Sequence, residues 1–148
     1  MKKYVFLFLC LLIIPCVTTS AFEPPSGDPM KEPVVIRTTC YTANEGALCS
    51  TGQKPHYGTI AGPKEWGGMA VCLYAFEYVD GEPVPTEYIG LFTVQDTGAG
   101  IDTDGDGKGD TLITGQSIDV YVDSLDDAKA WVNKYGDYTL MMLIPEGD

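Results

Sequence analysis

Six short segments rich in β-branched and aromatic residues, each closed off by glycine, proline or small polar residues, constrain this chain to a β architecture. They fall at residues 34–42, 59–61, 69–79, 88–95, 117–122 and 138–144. Such runs suit a pleated, half-buried surface, and the stretches between them carry turn residues, as at 80–85. One later segment has the helical period instead. Ser124 is placed as its N-cap with Asp127 as capping-box partner; Leu125, Ala128, Val132 and Tyr135 form an apolar stripe; Gly136 supplies the stop. Together these predict a mainly β domain, a six-stranded barrel with one peripheral helix.

The N-terminus has a different character. Lys2 and Lys3 precede an uncharged apolar run over 4–15, followed by the small residues Thr18, Thr19, Ser20 and Ala21. The run is shorter than the roughly 20 residues needed to span a bilayer. Residues 1–20 are therefore expected to be a cleaved signal peptide, leaving a chain that begins near Ala21 or Phe22. Residues 21–33, rich in proline, glycine and charge, read as a linker, and 34–148 make one folded domain. The expected product is secreted to the cell exterior or wall, is not membrane-bound after cleavage, and is a monomer.

Charge and cysteines narrow the function classes. Taking Lys2 and Lys3 from the 9 basic residues leaves 7 against 21 acidic ones, a formal charge of −14. Such a surface repels nucleic acid, and any binding to anionic wall polymers has to be local and shape-driven. The mature chain keeps Cys40, Cys49 and Cys72. Cys40 and Cys49 flank a glycine-containing loop and could be bridged. His56 is the one histidine, and no Cys-x-x-Cys or Cys/His spacing points to zinc. Acid–base chemistry is left to carboxylates.

Two carboxylates have a suggestive setting. Asp96 opens the run Asp96, Thr97, Gly98, Ala99, Gly100 at the end of a predicted strand, and Asp119 sits between Ile118 and Val120 within another. If the two converge, their pKa values split, because like charges close together cannot both ionise cheaply, and one stays protonated as a general acid requires. The bland reading makes Asp119 the solvent-facing residue of a half-buried strand. Asp-Thr-Gly-Ala is also an aspartic-protease signature, but that chemistry needs a second copy. Here there is one, and Gln95 precedes it.

Tyr41 and Thr42, then Ser50, Thr51 and Gly52, then the Tyr57 to Ala61 run, Asp96 to Gly98, and Ile118 to Tyr121 follow one another as in a known family. The ordered set resembles the 3D domain, named for three aspartates, which has the double-psi β-barrel of the MltA-type lytic transglycosylases. The resemblance runs from about Val35 to Leu143. It implies cleavage of the β-1,4 bond between N-acetylmuramic acid and N-acetylglucosamine in peptidoglycan, with glycan strands as the partner. The muramoyl 6-hydroxyl replaces water as the attacking group and leaves a 1,6-anhydro end. It further implies Asp119 as acid/base, Asp96 as its electrostatic partner, and Thr42, Thr97 and Gly98 at the substrate, Gly98 letting the glycan approach the turn.

This sequence departs from the family in two places. The family's first aspartate is matched by Gly62, which leaves Glu65, three residues on, to reach the same space. Between Ile101 and Thr114 lies an insertion with Asp102, Asp104, Asp106 and Asp110 at positions 1, 3, 5 and 9 of a calcium loop and Gly107 at its sharp turn. Ile113 stands where that loop's last acid belongs. A structural Ca2+ ion is expected there, and no cofactor for catalysis. Loss of the first aspartate keeps a second reading open, a catalytically silent peptidoglycan-binding or carbohydrate-binding module.

Overall fold

The computed structural model describes residues 33–102 and 105–144. The proposed signal peptide, nearly all of the linker, Asp104 and the last four residues lie outside them. Six strands and one α-helix make up the described chain: β1 (Val34–Tyr41), β2 (Thr59–Ala61), β3 (Ala70–Val79), β4 (Glu82–Asp96), β5 (Ser117–Tyr121), α1 (Leu125–Tyr135) and β6 (Tyr138–Ile144). The strands form one mixed sheet in the order β1-β5-β2-β4-β3-β6, and β6 pairs back onto β1 to close the ring. Pairs β1/β5 and β2/β4 are parallel; the other four are antiparallel. No helix of the described residues is long and apolar enough to cross a membrane.

Alternation along the strands fills the ring. Ile60, Val71, Leu73, Phe92, Val94, Ile118 and Val120 are all at most 1 % exposed and belong to one apolar cluster. Closure also buries the hydroxyls of Thr38 and Thr139, which satisfy one another at 2.7 Å. Because β3 and β4 run far past their other partners, residues 75–88 form a two-stranded arm. Its turn is shorter than the 80–85 stretch read from sequence: Asp80 and Gly81 alone reverse the chain, both with positive φ, +53° and +89°. An Asp-Gly pair suits a two-residue hairpin of this kind. Pro83 and Pro85 then lie inside β4, opposite Tyr78 and Phe76. These positions fall between the hairpin's hydrogen-bonded pairs, so the missing N–H groups face the open edge, and the register shifts just past Pro85, between Phe76 and Ala75.

Helix α1 forms where its pattern places it, and of the expected stripe Ala128 and Tyr135 are part-buried, Tyr135 against the core cluster. The Ser124 hydroxyl accepts the Asp127 N–H at 3.1 Å and donates to the Asp127 carboxylate at 2.6 Å, and the Gly136 N–H returns to the Val132 carbonyl. The anchor is Trp131, 6 % exposed, edge-on to Phe92 and Tyr135. Leu125 and Val132, expected in the stripe, are 70 % and 41 % exposed. The indole offers more apolar area than either aliphatic side chain, and rotating the helix to seat it turns them outward.

Candidate functional site

Asp96 ends β4 and Asp119 lies mid-way along β5, and the strand between them, β2, sets their relation. Ala61 is in register with Asp119 on one side and, after a bulge past Ile60, with Asp96 on the other. The two aspartates therefore occupy one row across three neighbouring strands. Two strand spacings put their Cα atoms roughly 10 Å apart. Gly62 follows Ala61 directly.

Asp96 is held by three donors. The Tyr41 hydroxyl donates to Oδ2 at 3.2 Å, while the backbone N–H groups of Ser50 and Thr97 donate to Oδ1 at 3.0 and 2.9 Å. All three suit the acceptor-only chemistry of a carboxylate. The loop after β1 makes this possible by clamping the end of β4: the hydroxyls of Ser50 and Thr51 both donate to the Gln95 carbonyl, at 3.3 and 2.9 Å. Burial pushes the Tyr41 phenol above its ordinary range, and the neighbouring Asp96 pushes it the same way, so it stays a donor. These contacts have no signal in the sequence, since no local spacing pairs a tyrosine at 41 with an acid at 96.

Asp119 is in a drier place. Ile118 and Val120 on either side point into the core, so its own side chain faces away from it, half-buried against the outside of the ring. Burial raises its carboxyl above the ordinary 3.8, and Arg37 pulls it back part of the way. The cause is thus desolvation rather than the like charge of Asp96 expected from sequence. The same carboxylate, behind burial, helps push the Cys40 thiol up to about 11.

The cysteines do not form the bridge that was open from sequence: Cys40, Cys49 and Cys72 are free thiols. Cys40 packs against the core cluster, while Cys49 is buried, 4 % exposed. Burial first, then Asp96, raises the Cys49 thiol, which keeps it protonated and a poor nucleophile.

A groove of two adjoining hollows, about 400 and 430 Å3, runs past the Asp96 turn. Thr97 and Lys64 line both halves. Gly62, Glu65 and Gly98 line the first, and Ser50 and Asp96 the second. The structure therefore gathers Asp96, Thr97, Gly98 and Glu65 in one groove. Asp119 is not among its lining residues, and Thr42 is exposed just beyond β1, outside the lining as well.

The insertion is built onto this groove. Its stem is tied by Ile101 N–H to the Thr111 hydroxyl at 2.8 Å and by Asp110 N–H to the Ile101 carbonyl at 2.9 Å. Leu112, 2 % exposed, closes over Gly98: a Cβ there would stand 2.7 Å from Leu112 Cδ1. Gly98 thus makes room for the insertion as much as for a ligand. In the loop, Asp102 accepts from the N–H groups of Gly105 and Gly107, at 2.6 and 2.8 Å, and Asp106 accepts from Lys108 at 2.8 Å. Gly105 and Gly107 turn the chain with φ of +80° and +86°. No three acids, cysteines or histidines among the described residues gather as a metal cluster, and Asp104 lies outside them.

No family model, no curated protein and no solved structure matches this chain.

Proposed function

We propose that this protein is a secreted, monomeric lytic transglycosylase that cleaves the MurNAc–GlcNAc β-1,4 bond of peptidoglycan, with the sheet wound as a double-psi barrel. The observation that carries the reading is the row Asp119, Ala61, Asp96, which sets a half-buried acid and a hydrogen-bonded carboxylate on either side of β2. Two parallel pairs, β1/β5 and β2/β4, meeting at the antiparallel β5/β2 pair, support the barrel assignment. In the reaction, the Asp119 carboxyl gives its proton to the glycosidic oxygen as the C1–O bond breaks. The muramoyl 6-hydroxyl oxygen bonds to C1, and its proton passes to the Asp119 carboxylate, which restores the acid. No water is activated, so a second catalytic acid is not required, unlike the paired carboxylates of hydrolytic glycosidases. Asp96, held in place by Tyr41, Ser50 and Thr97, supplies negative charge opposite the oxocarbenium-like transition state.

A specific observation favours a second reading, the silent glycan-binding module: glycine stands at 62, and Asp119 does not line the groove. Mass spectrometry of purified glycan after incubation separates the two. Anhydro-muramoyl ends are the expected product. Glycan that stays intact while still bound to the protein decides for the module.

Residues 1–20 act as the signal in this reading, and the acidic surface keeps the exported domain from nucleic acid. The insertion takes Ca2+ as a structural ion. Carboxylates at alternating positions around two left-handed glycines fit a hard cation, and Asp102, Asp106 and Asp110 would hold it together with Asp104. Calcium at about 100 times its Kd should then stabilise the fold by roughly 2.7 kcal/mol. The expected result is a melting temperature that rises with calcium, falls with chelator, and no longer responds in the double variant Asp104→Ala, Asp106→Ala. An identical melt in millimolar calcium and in chelator rejects the ion.

A further inference from the structure

Lys64 is the one basic side chain that lines the groove, and it lines both halves of it. The ion pairs among the described residues are Lys129 with Asp126 and Lys134 with Glu87, so no carboxylate among those residues is ion-paired to Lys64. The backbone that carries this exposed side chain is set by the residues on either side. Pro63 precedes it, and the short 3-10 turn Lys64–Trp66 is closed by the Gly67 N–H on the Lys64 carbonyl at 3.1 Å. Asp96, the acid beside it in the groove, already receives Tyr41, Ser50 and Thr97. In a chain of formal charge −12, with the groove lined also by the acids Glu65 and Asp96, this ammonium is the group there that can receive an anionic part of a ligand.

We infer that Lys64 is a specificity-determining residue that receives a carboxylate of the glycan, so that the groove prefers muramic-acid-containing strands with free lactyl carboxylates over neutral N-acetylglucosamine polymers. The inference rests on the glycan reading of the groove and deepens it. The lactyl carboxyl of N-acetylmuramic acid is free only where the stem peptide has been removed. An amide-bond hydrolysis must therefore precede binding at full strength.

The test is binding rather than turnover. Calorimetric titration of the full exported chain compares a peptide-free tetrasaccharide of alternating N-acetylglucosamine and N-acetylmuramic acid with chitotetraose, both in the Asp119→Asn background so that neither is cut. An exposed ion pair is worth up to about 1 kcal/mol, or roughly a fivefold preference at low salt, which fades as salt shortens the screening length. Lys64→Gln should erase the preference by weakening the muramic-acid-containing sugar more than chitotetraose, while Lys64→Arg should keep it. Equal affinity of the parent protein for the two sugars overturns the role of Lys64 but leaves glycan binding standing. A preference that survives Lys64→Gln also overturns it. Binding of neither sugar overturns both the role and the glycan reading.

Discussion

Asp119→Asn is expected to lower the rate of anhydro-end formation by about 10²–10⁴, the usual contribution of a positioned general acid, with glycan binding retained. Asparagine preserves shape and most hydrogen bonding but has no proton to give and recover. The electrostatics make this a clean test. Burial raises the Asp119 carboxyl above 3.8, so its folded pKa exceeds its unfolded one. A group shifted in that direction contributes its full stability below the unfolded value and loses it as pH rises through the folded value. At neutral pH the wild-type protein therefore carries the cost of a half-buried carboxylate, and Asp119→Asn should melt no lower than wild type. Activity should fall on the alkaline side, as the acid loses its proton. Because desolvation rather than Asp96 sets that limb, Asp96→Asn should reduce turnover by a smaller factor and leave the midpoint of the limb in place. A midpoint that drops in Asp96→Asn would mean direct coupling across β2. Full activity in Asp119→Asn removes the residue from the mechanism and turns attention to Glu65, which lines the groove.

Much of the fold was legible because it is written at short range. Residues 138–144 and 59–61 carry their strand pattern in consecutive side chains and appear with those bounds. Ser124 and Gly136 mark the helix ends by local capping chemistry. What escaped depends on partners distant in sequence. The length of β4 was hidden by Pro83 and Pro85, which belong in a strand only when their positions face an open edge, and that follows from the register with Tyr78 and Phe76. The helix face is shifted from the expected stripe: Tyr135 packs on the core, but Trp131 is drawn inward by Phe92 of β4 in place of Leu125 and Val132. The same holds for the site. Asp96 and Asp119 could be singled out by their motifs, yet the Tyr41 hydroxyl on Asp96, Arg37 beside Asp119 and the placing of Lys64 in the groove all arise from strand order. Glycine at 98 was read as space for a ligand; its neighbour Leu112 comes from an insertion whose packing has no sequence signature.

Gly100→Ala is expected to destabilise the protein by about 2–5 kcal/mol and to disorganise the Asp96 turn with it. Two separate effects combine at this position. Gly100 has φ of +77°, in the left-handed region, where a Cβ costs about 1–2 kcal/mol. A Cβ there would also collide with the Thr111 hydroxyl oxygen and the Leu112 backbone nitrogen. Both belong to the insertion stem, and overpacking of this kind costs about 1–3 kcal/mol. The stem cannot simply move aside. The Thr111 hydroxyl is bonded by the Ile101 N–H, and its carbonyl receives the N–H groups of Gln116 and Ser117, at 2.9 and 3.0 Å, where β5 begins. A shift of the stem is therefore passed to β5, the strand that carries Asp119, and, through Leu112 over Gly98, to the turn that carries Asp96. Gly46→Ala supplies the comparison, since Gly46 has φ of +82° and nothing within 4 Å of its Cβ position. It should cost the left-handed conformation alone, about 1 kcal/mol. Thermal melts of the two variants, with and without calcium, measure the difference. Gly100→Ala melting well below Gly46→Ala confirms that the insertion is packed onto the candidate site. Equal melts would mean that the stem stands away from the turn, and that the insertion could be replaced by a short linker without disturbing either aspartate.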